Sequence, residues 1–281
     1  MSSSHERNDP KRPKNRGQKP GGARPYFARP GGAKGPAKAA PDKDGAEWIW
    51  GWHAVAAALA NPGREAPKRI LASEDRAKMI LDQFGKSPNV TLTESALIGR
   101  ELPAGAVHQG VAWLGLPPEA VGIEELGTPA TGFLVMLDQV TDPQNVGAIL
   151  RSAAAFGARG MIVQDRHCPS FSGALAKAAA GAVDALPHAR VTNLSRALEK
   201  LADLGWRAVG LDGEATDTLA EALDPSPTVL VLGSEGEGLR RLVAEHCDAL
   251  GRIPMPGGFE SLNVSAAAAV ALYEASRPRL P

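Results

Sequence analysis

The stretch IPMPGGFESLNVSAAAAVALYEA, residues 253–275, decides how the rest of the chain is read. A short apolar piece runs into Pro254, Pro256, Gly257 and Gly258, and Ser261, Leu262 and Asn263 follow. Proline and glycine together shape a loop whose backbone can come close to a ligand. Ser261 and Asn263 are both helix-capping residue types. The alanine run 266–269 then makes the last helix narrow. A narrow helix suits passage through a crowded place, or close backbone contact.

Upstream of this loop, apolar strands alternate with helices from residue 131 onward. The expected strands are 133–140, 160–165, 207–212, 228–234 and 251–255. The expected helices fall near 146–156, 173–181, 194–204, 217–223, 239–247 and 264–275. Near-continuous apolar strands separated by helices imply an α/β fold with a parallel sheet covered on both faces. Ligands of such sheets bind where the strands end and the loops gather.

Two more loops of this half are specialised. In LDQVTDPQNVGAILRSAAAFGA (137–158) a strand ends, Asp142-Pro143 turns the chain, and a helix is expected after Asn145, with that residue as its cap. Arg151 lies inside that helix among small and apolar residues; it either sits on a solvated helix face or has an anion to face. Its guanidinium grips phosphates and carboxylates bidentately. In VLVLGSEGEGLRRLV (229–243) a strand runs into Gly233, Ser234, Glu235, Gly236, Glu237 and Gly238. Neither GxGxxG nor GxxxxGK[ST] is present. Two carboxylates would repel a phosphate, whereas S-adenosylmethionine carries a cationic sulfonium and an adenosine that backbone groups can hold.

The ends of the chain differ in charge. Residues 1–46 hold eleven Lys/Arg against four Asp/Glu, with seven Pro and seven Gly, and the remainder is acidic by the same margin. Such a segment is expected to be disordered. As a basic arm it would contact RNA, with Tyr26 and Phe27 able to stack on bases. The alternative for it is a solubilising tail. Residues 47–115 read as a small α/β domain: a helix at 51–61, strands at 69–73, 89–95 and 106–115, and a helix at 75–84. Residues 116–130 read as a linker. Cys168 and Cys247 are isolated, so neither a zinc site nor a disulfide framework is expected. No apolar run reaches the length of a membrane span and no signal peptide is evident, so the expectation is a cytoplasmic protein.

Taken together, LDQVTDPQNVGAILRSA, LVLGSEGEGLRRL and IPMPGGFESLNVSAA resemble the three motifs of the SpoU/TrmH group of RNA ribose 2′-O-methyltransferases, within the SPOUT class. The likeness covers about residues 47–277. The piece before the linker is similar to the ribosomal-protein-like RNA-binding domain of the group's 23S rRNA guanosine methyltransferases. The resemblance implies a knotted methyltransferase domain over 131–281, in which the last segment threads an earlier loop, an exception to the rule against knots. It further implies S-adenosylmethionine as cofactor, RNA (23S rRNA first) as substrate, a homodimer, and no metal. By the same resemblance Arg151 is the residue beside the nucleophile, with Asn145, Glu235, Ser261 and Asn263 shaping the active site. Leu232, Gly233, Ile253, Met255, Leu262 and Val264 would lie on the cofactor. Methylation of tRNA or another rRNA site, and a non-catalytic ribosome-assembly role, stay open at this point.

Overall fold

A computed structural model describes residues 44–85, 89–257 and 261–277. The basic arm up to residue 43, with Tyr26 and Phe27, lies outside these residues, as do Gly258, Phe259 and Glu260.

Two sheets form. The first contains β1 (Glu47–Trp50), β2 (Arg69–Ala72), β3 (Val90–Leu92) and β4 (Val111–Gly115), in the order β1-β4-β2-β3. Helices α1 (Trp52–Ala60), α2 (Glu74–Phe84) and α3 (Ser95–Glu101) connect them. Strand β4 runs antiparallel to β1 and β2, and β2 pairs β3 in parallel. The helix α4 (Ile123–Leu126) follows. The second sheet holds β5 (Phe133–Leu137), β6 (Met161–Gln164), β7 (His188–Val191), β8 (Arg207–Leu211), β9 (Thr228–Leu232) and β10 (Ala249–Gly251). Its order is β10-β8-β9-β5-β6-β7, and every pairing is parallel. Between and after these strands come α5 (Pro143–Ala155), α6 (Gly173–Ala179), α7 (Ala182–Ala185), α8 (Leu194–Asp203), α9 (Leu219–Ala222), α10 (Arg241–Glu245) and α11 (Val264–Ser276).

Alternation along β5 shows why the sheet is covered twice. Phe133, Val135 and Leu137 enter the core shared with α5, α6 and α11, while Leu134 and Met136 enter the core shared with α4 and α8. Strand β9 is buried throughout and slots between β5 and β8, so the direction of winding changes at the β5–β9 pair. Open parallel sheets bind ligands at such a switch point.

Five short elements escape the sequence reading, among them α7, which follows the expected helix 173–181. Strand β7 carries His188 and Arg190 in place of an apolar run and sits at the sheet edge. Strand β1 has only four residues, and α3 follows directly on the shortened β3. The linker stretch 116–130 contains α4, whose Ile123 and Leu126 are buried in the second core. Ahead of α4, Val121 donates its N–H to His188 C=O at 2.9 Å, which covers part of the β7 edge.

Polar contacts tie the first sheet to the second. Arg64 donates through Nη1 to both oxygens of Asp184 on α7, at 2.8 and 2.7 Å, with side chains only 2% and 3% exposed. Asn61 adds a bond to the same carboxylate at 3.1 Å. The Arg64 guanidinium lies over the Trp113 ring, 4.2 Å from its centroid. Glu47 accepts hydrogen bonds from Ser170 and Ser172 across the same junction.

The last helix is held by small residues. Ala268, Ala271, Leu272 and Ala275 are buried, and α11 packs on α5 and β9. Ala268→Leu is expected to cost about 1–3 kcal/mol by overpacking. Thermal unfolding checks this: its midpoint should fall by several degrees, while Ala202→Leu on the exposed face of α8 leaves it in place. Equal midpoints for the two variants would mean that α11 does not need its small residues.

Candidate active site

Each of the three specialised loops ends in a side chain aimed at the same point, for local reasons. At the start of α5 the cap is Asp142, whose Oδ2 accepts the Asn145 N–H at 2.9 Å. The expected helix start after Asn145 is thus corrected to Pro143. Asp142 is extended, as a residue before proline must be, and Pro143 is preset for a first helical turn. Asn145 therefore stands inside the first turn with its amide free for another partner.

The β9–α10 loop closes on itself. Ser234 and Gly238 exchange two backbone hydrogen bonds, each 3.1 Å, leaving Glu235 and Glu237 exposed at the tip. A Cβ at Gly233 would run into the backbone of Gly238 and Leu239, so only glycine lets the stem close.

At the start of α11 the cap is Asn263. Its Oδ1 accepts from Ser265 N–H at 2.9 Å, Ala266 N–H at 3.4 Å and the Ser265 hydroxyl at 2.6 Å. With the oxygen so engaged, Nδ2 must face the other way. It donates to Glu235 Oε1 at 2.6 Å and to Asn145 Oδ1 at 3.1 Å. Asn145 Nδ2 donates to the same Glu235 oxygen at 3.0 Å, and the Val264 N–H approaches it at 3.3 Å. Asn145, Glu235 and Asn263 form a closed triangle at the carboxyl ends of β5 and β9.

Of the other expected site residues, Val264 joins the triangle through its N–H, while no hydrogen bond links Arg151 or Ser261 to it among the described residues. Arg151 is exposed on α5, six residues beyond Asn145, and makes no ion pair among the described residues. Ser261 is exposed and has no hydrogen bond among the described residues. Leu232 ends β9 and Val264 opens α11, both buried. Ile253 and Met255 are half-buried on the segment after β10, and Leu262 is 43% exposed.

Two neighbours were not singled out from the sequence. Asp138, directly after β5, is fully buried, and it pairs with Arg240 at 2.7 Å. The signal was a lone charge closing an apolar run, FLVML. Away from the triangle, a crevice of about 310 Å³ lies between the linker and β7, lined by Pro117, Pro118, Phe171, His188 and Arg190 among others. Burial, with Arg190 adding to it, pushes the His188 imidazole down to about 4, so it is uncharged at neutral pH. Among the described residues no cluster of His, Cys, Asp and Glu could hold a metal, and no helix is long and apolar enough to cross a membrane.

The SpoU rRNA methylase family matches residues 132–273, the span that holds every residue of the triangle. The chain belongs to that family. The 23S rRNA (guanosine-2′-O-)-methyltransferase RlmB of Pseudomonas aeruginosa is 40% identical over 252 residues, covering 84% of this chain and 98% of its own length. An uncharacterized tRNA/rRNA methyltransferase of Mycolicibacterium smegmatis is 46% identical over 179 residues, 62% of this chain and 57% of its own. Among solved structures, the SpoU methyltransferase AviRb from Streptomyces viridochromogenes, in complex with AdoMet, superposes with a TM-score of 0.71 at 26% identity. That match covers 84% of this chain and 91% of that one. For this SpoU member, the triangle implies mechanical coupling among its loops. Glu235→Ala is expected to speed amide hydrogen exchange about tenfold at 145–146 and 263–266, although neither segment is altered. Exchange mapped by mass spectrometry or NMR checks this; a change confined to 233–238 would show that the three loops stand independently.

Proposed function

We propose that the protein transfers the methyl group of S-adenosylmethionine to the ribose 2′-hydroxyl of a guanosine in 23S rRNA. The observation that carries this reading is the Asn145–Glu235–Asn263 triangle, which gathers three family motifs, with Arg151 exposed on the same helix as Asn145 and without an ion pair among the described residues. The likeness to the Pseudomonas relative reaches well ahead of residue 132, so it includes part of the first sheet. By family resemblance that small domain accompanies rRNA rather than tRNA substrates.

The residues fit the cofactor. Ile253, Met255 and Leu262 offer apolar surface to an adenosine, and the 253–257 backbone offers donors and acceptors beside it. Glu235 and Glu237 suit a cation and would repel a phosphate. Gly233, Leu232 and Val264 would complete the wall, mostly through backbone groups. When bound, the cofactor supplies an already activated methyl group.

The remaining difficulty is a neutral, weakly nucleophilic hydroxyl. Holding it in line can lower the barrier by roughly 7–11 kcal/mol at the favourable limit. Arg151 supplies a guanidinium, the side chain that binds phosphates bidentately. It clamps the RNA phosphate and stabilises the alkoxide developing on the 2′-oxygen, so that the hydroxyl proton is lost to solvent more readily. Asn145, Glu235 and Asn263 keep the loops around it in register, and Ser261 borders the same opening.

Further elements of the reading follow from the resemblance. Residues 47–115 would hold the RNA, with the basic arm 1–46 extending that surface, and 131–281 would form the knotted catalytic domain. A second copy would seat on the apolar stripe Leu262, Ala266, Val270 and Tyr273, exposed just ahead of and along α11, which packs on α5. The protein would act in the cytoplasm, where rRNA matures.

Labelled methyl transfer to unmodified 23S rRNA and to unmodified tRNA, side by side, tests this. The expected product is 2′-O-methylguanosine in 23S rRNA alone; label in tRNA would overturn the substrate, and no cofactor binding by calorimetry would overturn the reaction. Arg151→Ala is expected to lower turnover by about two orders of magnitude or more, with cofactor affinity kept. Near-normal turnover would remove Arg151 from the chemistry.

A further inference from the structure

The loop that carries Gly233 and Glu235 has two stems, and both converge on one residue outside it. Asp138 follows the last residue of β5 and is 0% exposed. Its N–H donates to Leu232 C=O at 2.8 Å, which fixes the chain entering the loop. Its carboxylate takes the chain leaving the loop. Oδ2 accepts the Arg240 N–H at 2.9 Å and Oδ1 accepts Arg240 Nε at 2.7 Å. Arg240 precedes α10, so that N–H is one a helix leaves without an internal partner. Arg240 Nη2 reaches on to Gln164 Oε1, the end of β6, at 3.2 Å. The guanidinium therefore bridges from the β9–α10 loop to the ends of β5 and β6.

This arrangement is costly to build without a use. A buried carboxylate needs every donor it can get, since an unpaired one in a dry site strongly disfavours the fold. A hydrophobic residue at the end of β5 would cover the core as well. What the carboxylate adds is a two-point, charge-assisted grip on one specific residue of the neighbouring loop. The grip lies at the root of the loop, apart from the Glu235 contacts at its tip. We infer that Asp138, acting through Arg240, is a positioning residue that presets the Gly233–Gly238 loop for S-adenosylmethionine. The inference rests on the proposed function for the identity of the ligand, and on the hydrogen bonds alone for the clamp.

Asp138→Asn keeps the shape but removes the charge and sets an NH2 group against one of the two Arg240 donors. Arg240→Met keeps the stem and the backbone N–H but removes the guanidinium; it is half-exposed and serves if the first variant fails to fold. Each single change should weaken cofactor binding by about tenfold or more in calorimetry, while the KM for RNA moves by less than about twofold. The double variant should be no weaker than the poorer single one, because both remove the same contact. Arg241→Ala, which removes a neighbouring surface cation paired with Glu245, should leave cofactor affinity unchanged. In the protein without cofactor, amide exchange at 234 and 238 should rise in both single variants. Unchanged exchange there overturns the clamp whatever the ligand proves to be. Faster exchange with undiminished cofactor affinity overturns its role in binding. If the unaltered protein binds no cofactor, the functional reading fails separately, and exchange still decides the clamp.

Discussion

One oxygen of Glu235 holds together segments of chain up to 118 residues apart. Its donors are two asparagine amides and the first backbone N–H of α11. Each asparagine is itself oriented by a helix start: Asn263 by capping α11, and Asn145 by standing in a first turn that Asp142 caps. Two thirteen-residue helices thus begin beside the same carboxylate. A helix N-terminus favours negative charge within its first turn, so the helices and the acid attract each other before any side-chain bond forms. The sheet makes this meeting possible because β9 inserts beside β5, placing their two following loops side by side.

The sequence discloses the layered architecture through burial. Runs such as FLVML and TVLVL have no polar face, and only a doubly covered sheet accommodates that. The same logic hides β7, where His188 and Arg190 interrupt the apolar pattern at a sheet edge. It also hides α4, four residues inside a stretch rich in Pro and Gly. Local rules carried less far at Asn145. Asn and Asp cap equally well, and the proline after Asp142 is what selects it. Resemblance nominated Asn145 as a site residue, while its contact with Glu235, ninety residues on, was not legible at all.

Contacts between distant charges are the part no periodicity records. Arg64 and Asp184 are 120 residues apart, and neither stands in a distinctive pattern. Their bond is nearly sealed from water, and with the Glu47–serine contacts it fixes the first sheet against α6 and α7. Burying such a pair adds little net stability compared with apolar packing, but removing one partner leaves a stranded charge. The pair therefore argues for a defined relation between the two sheets more than for a tighter fold. Asp138 and Arg240 repeat the principle inside the second sheet, at the root of a loop.

The distribution of charge around the centre supplies the final step. Glu235 spends Oε1 on amide donors and Asp138 spends its carboxylate on Arg240, so neither is idle. Arg151 alone among the expected site residues brings a charge with no internal partner among those described. The chain from residue 47 onward carries twenty Lys/Arg against twenty-seven Asp/Glu, which would repel a polyanion approaching at large. At about 0.1 M salt such repulsion between exposed charges fades beyond roughly 10 Å, while contacts made in place survive. Eleven of the thirty-one Lys/Arg lie in residues 1–46, so positive charge is concentrated ahead of the acidic body. Arg151 thus sets an exposed positive charge, without an ion pair among the described residues, in a body whose net charge is negative.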